Sequence, residues 1–178
     1  MKKILIVVDM QNDFVYGSLG SPEARAIVPN IKEKINSYLK NNDTVIFTRD
    51  THFEDYLDTN EGKHLPVEHC IKESYGWEVI NELDVKLCEH INKVTFGYNY
   101  WNGRLGIDIP YHSGEEIEIE LVGVCTDICV VSNALILKAT YPEATIKVDA
   151  SCCAGVTPET HNAALTTMKS CQIEVINE

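Results

Sequence analysis

Residues 3–14 read KILIVVDMQNDF, and the first half of this stretch decides the fold class. Residues 4–8 are all apolar, and the run ends at the charged Asp9. A secretory signal peptide needs an apolar region of about 7–15 residues, so this run is too short for one. A short apolar run that ends at a polar residue instead predicts a buried strand, as is usual in parallel sheets. The chain is therefore expected to begin with a buried strand that has a carboxylate at its carboxyl end.

The rest of the chain alternates between segments typical of helices and segments typical of strands. Apolar residues at helical spacing over 24–39 predict a helix. Ser21 and Pro22 suit the cap and the first position of this helix. Pro29 interrupts the pattern, so the main part of the helix could begin only there. Helical patterns also occur at 127–139 and at 158–170, where Thr157 suits the cap of the second helix. Short apolar or alternating runs predict further strands at 43–48, 116–124, 144–150 and 172–177. This alternation predicts a single α/β domain over residues 1–178, with three layers (α/β/α) and a mostly parallel central sheet.

Length, charge and cysteine content narrow the class of protein. A chain of 178 residues suits one domain with a sizeable core. The net charge of −12 argues against a nucleic-acid surface, which needs clustered Lys and Arg. No apolar run approaches the roughly 20 residues of a membrane span. The seven cysteines lack a disulfide-scaffold spacing and no export signal precedes them, which predicts a reduced, cytoplasmic protein.

Functional residues are expected in the loops that follow the predicted strands, because parallel sheets bind ligands at the carboxyl ends of their strands. Neither GxGxxG nor GxxxxGK[ST] occurs, so the common phosphate-binding loops are not supported. Asp9 would be partly desolvated there, which raises a carboxyl pKa unless a cation compensates. Asp9 could equally cap its loop, as we expect of Asp13. Lys93 lies in a strand-like segment and could supply the cation, although lysines usually lie on the surface.

Two cysteines stand four residues apart in GVCTDICVV, residues 123–131. If Thr126 caps the helix that follows, Cys129 lies in its first turn, where backbone N–H groups and the helix dipole stabilise a thiolate or an oxyanion. The spacing between Cys125 and Cys129 matches neither a CxxC redox motif nor paired zinc ligands. The alternative is that Cys129 is a buried core thiol, because free cysteine is among the most buried residue types. We expect burial of this kind for Cys70, Cys88, Cys152, Cys153 and Cys171.

Residues 50–76 lack a clear period, and a long irregular stretch in a compact domain is often functional. Asp50 and His52 lie two residues apart at the end of the second strand, on the same side of an extended chain. Further candidate ligands along this stretch are Glu61, His64 and His69. Two imidazoles and a carboxylate with positions open to water could form a divalent-metal site. The alternative is a solvated polar loop.

Taken together, these segments resemble the isochorismatase-like cysteine hydrolases over nearly the whole chain, and among them most of all the nicotinamidases, which also hydrolyse pyrazinamide. VVDMQNDFV is similar to the opening strand of that family with its catalytic aspartate, here Asp9. GVCTDICVVSNA is similar to the signature with the nucleophile, here Cys129. NKVTFGY carries Lys93 in the expected order, and DASCCAGVTPETHNAAL resembles a later segment with His161 in its usual place.

The resemblance implies an amidohydrolase that converts nicotinamide to nicotinate and ammonia, a step of NAD salvage, through a thioester on Cys129. Asp9 would take the proton of the thiol, helped by the charge of Lys93. The backbone N–H groups of Cys125 and Cys129 would hold the oxyanion. The resemblance also implies a cis peptide bond between Val124 and Cys125.

A divalent metal is implied in the same way, most readily zinc, with iron or manganese as alternatives, and it would orient the substrate ring. Its implied ligands are Asp50, His52, His69 and Glu61, with His64 as a competitor for the place of Glu61. The family's Trp-Pro-x-His-Cys is replaced here by LPVEHC, so Leu65 stands where a Trp normally walls the ring pocket. Phe14 and Leu65 are expected to line this pocket, and Tyr98 or Trp101 could supply replacement aromatic walls.

Other functions stay open at this point. The chain could be another hydrolase of the superfamily, acting on a different small amide, ureido or vinyl-ether substrate. It could also be a non-catalytic metal-binding or interaction protein, or a thiol redox protein that uses Cys125 and Cys129. The expected partner is a small-molecule amide, with no nucleic acid and no membrane. Because the family usually forms dimers or tetramers, a homo-oligomer is implied.

Overall fold

The computed structural model describes residues 2–83, 86–105 and 116–178. The strands are β1 (Lys2–Val8), β2 (Thr44–Asp50), β3 (Glu89–Lys93), β4 (Ile117–Val124), β5 (Thr145–Ala154) and β6 (Glu174–Ile176). The helices are α1 (Asn12–Val15), α2 (Pro22–Ala26), α3 (Val28–Lys40), α4 (Asn60–His64), α5 (Trp101–Arg104), α6 (Val131–Thr140) and α7 (Pro158–Ser170). Within the described residues, the six strands pair in parallel in the order β3-β2-β1-β4-β5-β6. The prediction of an α/β fold with a mostly parallel sheet is confirmed.

The side chains of β1 alternate between two apolar cores, one on each face of the sheet. Leu5 and Val7 pack into the core that contains Ile31 of α3. Ile6 and Val8 pack into the core that contains Leu137 of α6 and Met168 of α7. Burial of each such side chain contributes roughly 1.5–3 kcal/mol, so both faces of the sheet must be covered. The result is the predicted three-layer arrangement.

The helix starts follow the predicted caps. The Ser21 hydroxyl accepts a hydrogen bond from the N–H of Ala24 at the start of α2. α3 begins one residue before Pro29, an early position at which the missing N–H of proline is not needed. Thr157 caps α7 and accepts from the N–H of Thr160. None of the helices in the described part of the chain is long and apolar enough to cross a membrane.

The helix predicted at 127–139 begins differently from the expectation. A π-helical turn, Thr126–Val130, precedes α6, and the N–H of Val130 donates to the carbonyl of Cys125 at 3.0 Å. Thr126 is the first residue of this turn rather than its cap. The prediction of a regular α-helical first turn around Cys129 is therefore wrong, because a five-residue repeat replaces the four-residue one there.

β5 extends four residues beyond the strand predicted at 144–150. A register shift in β4 between Leu121 and Gly123 allows Gly123 to pair with Cys153, which continues the ladder. Gly123 has a φ of +116°, and a Cβ at this position would lie 2.1 Å from the carbonyl oxygen of Val8. Glycine is needed there for both its backbone conformation and its close approach to β1.

Residues 50–76 are folded by local contacts rather than by a long regular element. A 3-10 turn at Tyr56–Asp58 leads into α4, whose cap Thr59 accepts from the N–H of Gly62. A Cβ on Gly62 would lie 2.1 Å from the carbonyl oxygen of Tyr56. The carboxylate of Asp13 accepts from the N–H of Cys70 at 2.8 Å, which agrees with the structural role expected for Asp13. These contacts hold the predicted metal-binding stretch against α1.

The expected burial of the remaining cysteines is confirmed only in part. Cys70, Cys152 and Cys153 are buried, whereas Cys88 is half-buried. Cys171 is exposed, so the prediction of a core position is wrong for it. Cys171 ends α7, and its N–H donates to the carbonyls of the last turn while its side chain faces solvent.

Candidate active site and metal centre

Residues suited to catalysis lie together at the carboxyl end of the sheet. Asp9 follows β1, Asp50 ends β2, and Lys93 ends β3. Cys125 follows β4 and leads into the π-helical turn that contains Cys129. The strand order runs in opposite directions on either side of the β1–β4 pair, and such switch points form the ligand crevice of parallel sheets.

The ammonium of Lys93 lies at the centre of this group. Its Nζ is 2.7 Å from Asp9 Oδ2, 3.4 Å from Asp50 Oδ1 and 3.6 Å from Cys129 Sγ. The side chains of Asp9 and Lys93 are completely buried. The hydroxyl of Thr48 donates to Asp9 Oδ1 at 2.7 Å. Asp9 Oδ2 faces the ammonium but accepts no well-aligned hydrogen bond from the described residues, so it can receive a proton.

Burial governs the protonation of the aspartate and the thiol. It raises the pKa of Asp9, against the charge of Lys93, which lowers it. Burial also raises the pKa of the Cys129 thiol well above its ordinary value; Lys93 opposes this, and the two carboxylates add to it. Burial alone would lower the pKa of Lys93, but the negative groups around it raise the pKa, so the lysine stays charged. The thiol therefore keeps its proton at rest and needs an adjacent base to act as a nucleophile.

Beside this group, Asp50, His52, Glu61 and His69 bring four ligand atoms within 4.8 Å of one another. His52 Nε2 lies 3.1 Å from Asp50 Oδ2 and 3.5 Å from Glu61 Oε1. His69 Nε2 lies 3.7 Å from Asp50 Oδ2 and 3.8 Å from Glu61 Oε1. Bonds of about 2.1 Å in a tetrahedral site place ligand atoms about 3.4 Å apart. The spacing of the four donors therefore fits a small divalent cation.

The second nitrogen of His69 supports the same interpretation. Its Nδ1 lies 2.8 Å from the carbonyl oxygen of Val67, which orients the ring so that Nε2 faces the cluster. Burial would raise the pKa of Asp50, but hydrogen bonds from His52 and His69 and the charge of Lys93 together lower it. Burial and the neighbouring Asp50 raise the pKa of Glu61. Protons held by these side chains must leave when a cation binds.

The two competitors for a fourth ligand position lie in different places in the structure. Glu61 belongs to the four-atom cluster, whereas His64 does not. The ring of His64 is exposed, and its Nδ1 lies 2.8 Å from the carbonyl oxygen of Asn60 within α4. Both side chains arise from α4, but only the carboxylate faces the two imidazoles.

A cavity of about 370 Å³ joins the thiol to the metal-ligand cluster. Its wall includes Cys125, Cys129, Asp50, Glu61 and His69. Phe14 and Leu65 also line it, at the positions expected from the sequence. Trp101 does not take the place of the tryptophan that the family has at the position of Leu65. The side chain of Trp101 is fully buried, and its Nε1 donates to the side-chain oxygen of Asn133. Tyr98 packs against Trp101 instead of the cavity, and the additional aromatic wall is Phe96.

The family model of the isochorismatase domain matches residues 3–178. The chain belongs to the isochorismatase family. The expectation of an enzyme of the hydrolase class is confirmed by this membership. The predicted cis peptide bond between Val124 and Cys125 is present in this isochorismatase-family chain.

Relatives and solved structures extend the comparison. The chain is 28% identical to a nicotinamidase of Schizosaccharomyces pombe, over 98% of this chain and 92% of that protein. The structure of a pyrazinamidase of Pyrococcus horikoshii in complex with zinc has a TM-score of 0.79 and 27% identity, and the match covers 100% of both chains. An N-carbamoylsarcosine amidase from Thermoplasma acidophilum has a TM-score of 0.73 and 25% identity, over 98% of this chain and 95% of that one. The predicted resemblance to nicotinamidases is confirmed.

Besides Phe96, two further residues of this isochorismatase-family site were missed from the sequence. The side chain of Gln11 accepts from the backbone N–H of Asp50 and donates to the carbonyl oxygens of Asp50 and Trp77. It thereby fixes the end of β2, from which the Asp50 carboxylate projects. Thr48 lies in the neighbouring strand β2, and its hydroxyl orients Asp9 by donating a hydrogen bond to the carboxylate. Gln11 lies within the quoted DMQNDF motif, but nothing in the local pattern shows that an amide so close to Asp9 serves a neighbouring strand.

Proposed function

We propose that this chain is an amidohydrolase that converts nicotinamide to nicotinate and ammonia through a thioester on Cys129. The proposal rests on a cavity whose wall contains both Cys129 and three of the four residues of the ligand cluster, Asp50, Glu61 and His69. A pyridine carboxamide presents two matching groups on one rigid ring, a carbonyl carbon for the thiol and a ring nitrogen for a cation. The nicotinamidase and pyrazinamidase relatives support this choice of substrate.

In the first step, Asp9 takes the proton of Cys129, and the sulfur attacks the carboxamide carbon. The new carbon–sulfur bond forms while the carbonyl electron pair moves to oxygen. Lys93 Nζ lies between the two acidic groups, 2.7 Å from Asp9 and 3.6 Å from the sulfur. Its positive charge stabilises the negative charge in either place, which eases the proton transfer.

The oxyanion is assigned to the backbone N–H groups of Cys125 and Cys129. Both residues line the cavity, Cys125 as the cap of the π-helical turn and Cys129 within it. Backbone donors of this kind are already oriented before the reaction, so they stabilise charge that develops only in the transition state.

The second half of the reaction returns the site to its initial state. The carbon–nitrogen bond breaks, and the protonated Asp9 delivers its proton to the leaving amine, which departs as ammonia. Asp9 then accepts a proton from water as the water attacks the thioester. The carbon–sulfur bond breaks, nicotinate forms, and Cys129 regains its proton.

The cation site is assigned to Asp50, His52, Glu61 and His69. Two imidazoles and two carboxylates suit zinc, iron or manganese. A divalent cation bound there would orient the substrate ring through its nitrogen, directly or through water. The protein side chains carry the proton transfers and the covalent step.

Ammonia release from nicotinamide and pyrazinamide tests the proposal. Cys129→Ala should abolish release, whereas Cys171→Ala, which removes an exposed thiol that is not part of the cavity wall, should retain it. Turnover that persists in Cys129→Ala would remove the nucleophile assignment. Loss of turnover on chelation and its return with zinc, iron or manganese would identify the cation.

A second candidate is a hydrolase of the same family that acts on a different small amide, ureido or vinyl-ether substrate. It is favoured by the similarity to the N-carbamoylsarcosine amidase and by Leu65, a half-exposed aliphatic residue at the cavity wall. A panel that includes N-carbamoyl amino acids separates the two candidates. A non-catalytic binding protein would form no adduct between Cys129 and an aldehyde analogue of the substrate. A redox role would instead be supported by reversible disulfide formation between Cys125 and Cys129.

We further propose that the chain is a single cytoplasmic domain that assembles into a homo-oligomer, a dimer or tetramer. The continuous sheet from β1 to β6 supports one domain. Exposed apolar side chains at Phe53, Leu57 and Val94 offer surface for a second copy. The molar mass in solution, measured by light scattering, tests the oligomer, and a monomer at all concentrations would exclude it.

A further inference from the structure

We propose that His161 is a positioning residue that aligns the nucleophile turn for oxyanion binding. The inference rests on the function proposed above. His161 lies in the first turn of α7, and its Nδ1 is 2.8 Å from the hydroxyl oxygen of Thr126. Thr126 is completely buried and begins the π-helical turn directly after Cys125. A hydrogen bond to Thr126 therefore acts on the backbone between Cys125 and Cys129.

A second contact joins the same two segments. Both carboxylate oxygens of Asp127 accept from the N–H of Val156, at 3.1 and 3.3 Å. Val156 belongs to the β5–α7 connection, and this connection lines the cavity. Neighbouring residues of the turn, Thr126 and Asp127, are thus held by opposite ends of one short segment. Such a two-point attachment fixes the orientation of the turn better than either hydrogen bond alone.

The start of α7 packs closely against the β5–α7 connection at His161. A Cβ on Gly155 would lie 2.8 Å from the Cβ of His161, so the helix start and the connection are in close contact. Burial lowers the pKa of His161, against the nearby carboxylate of Asp127, which raises it. The ring is therefore neutral near pH 7, and a neutral imidazole can pair with a hydroxyl as donor or acceptor.

Loss of this contact should affect the transition state more than the bound substrate. Without the imidazole, the buried Thr126 hydroxyl has lost its partner, and the turn is free to shift. The substrate ring is held elsewhere in the cavity, so KM should change little. A small misalignment of oxyanion donors lowers kcat by roughly tenfold to a hundredfold.

The test compares His161→Ala, His161→Asn and Asn162→Ala in the full, metal-loaded chain. Asparagine can place an amide near the position of Nδ1, so it should restore most of the lost activity. Asn162 is exposed on the same turn of α7 and serves as the matched control. The measurements are kcat and KM for nicotinamide, and the affinities for nicotinate and for pyridine-3-carbaldehyde. The aldehyde forms a tetrahedral adduct on Cys129 and therefore needs the oxyanion donors, whereas nicotinate does not.

We expect kcat and aldehyde affinity to fall together in His161→Ala, with KM and nicotinate affinity unchanged. Wild-type kcat in His161→Ala would overturn the inference. A parallel loss of nicotinate affinity would also overturn the inference. The same holds if a smaller fraction of the protein binds the aldehyde while kcat per binding site is unchanged, because both results indicate a merely structural role. If the wild-type chain hydrolyses no nicotinamide, the proposed function fails. The aldehyde and nicotinate affinities would still decide the role of His161.

Discussion

Replacement of Lys93 by methionine is expected to destabilise the fold because it leaves a buried carboxylate without its cation. Lys93 Nζ is 2.7 Å from Asp9 Oδ2, and both side chains are completely buried. At an effective dielectric constant of about 20, this separation corresponds to about 6 kcal/mol of attraction before desolvation. Removal of one partner of a buried pair typically costs about 3–5 kcal/mol. We expect a loss of this size in the free energy of unfolding at neutral pH.

The loss should become smaller as the pH falls. In Lys93→Met, burial acts on Asp9 without the opposing charge, so the pKa of Asp9 rises further above its unfolded value. A carboxyl with a raised folded pKa contributes stability below its unfolded pKa, and this contribution is lost as the pH rises through the folded pKa. The variant is therefore most impaired, relative to wild type, at neutral pH and recovers as Asp9 takes up a proton.

Urea unfolding followed by tryptophan fluorescence provides the assay, at neutral pH and about two units lower. The control is the double variant Asp9→Asn/Lys93→Met, in which neither buried charge remains. It should recover most of the stability that Lys93→Met loses. A loss below about 1 kcal/mol would refute the reasoning, as would a pH-independent loss that the double variant does not relieve.

Three further predictions concern the metal site and the base. His52→Ala should lose stoichiometric metal, measured by mass spectrometry of the purified protein, whereas the exposed His64→Ala should retain it; equal contents would exclude the assigned cluster. Gly62→Ala should also lose metal, because its Cβ would collide with the carbonyl of Tyr56 and displace α4; unchanged metal content would contradict this. The acid limb of kcat/KM should lie above the ordinary carboxyl pKa of about 3.9, because burial raises the pKa of Asp9; a limb at or below that value would point to another base.

The sheet could be predicted from local sequence because its strands are short apolar runs with polar ends. β1 is the clearest case, since burial on both faces leaves no polar residue between Ile4 and Val8. The extension of β5 could not be predicted in this way. It depends on the register shift at Gly123, which is a property of two paired strands. The π-helical turn at Cys129 was missed for a similar reason, since the turn is held by contacts to the β5–α7 connection and to α7, which are distant in sequence.

The candidate site was predicted from sequence mainly through order along the chain. Local chemistry could single out Asp9 and the Asp50–His52 pair, because each follows an apolar strand. It could not single out Lys93, whose burial results from the pairing of β3 with β2. Nor could it find Phe96, which reaches the cavity only because the chain turns after β3. Burial and cavity walls arise from the assembled sheet, and local residue patterns do not encode them.

Asp50 links the two halves of the site, and this link explains the role of Gln11. One oxygen of Asp50 faces Lys93 at 3.4 Å, and the other lies 3.1 Å from His52. The Gln11 side chain holds the backbone of Asp50 from both its N–H and its carbonyl. A rigid aromatic amide needs a fixed distance between the group that orients its ring and the group that attacks its carbonyl. The Asp50 carboxylate belongs to the proposed ligand cluster and also contacts Lys93, the lysine beside the thiol. The end of β2 therefore sets that distance. In the proposed reaction, Gln11 would act by holding this strand end, although its side chain touches neither the thiol nor the cluster of imidazoles.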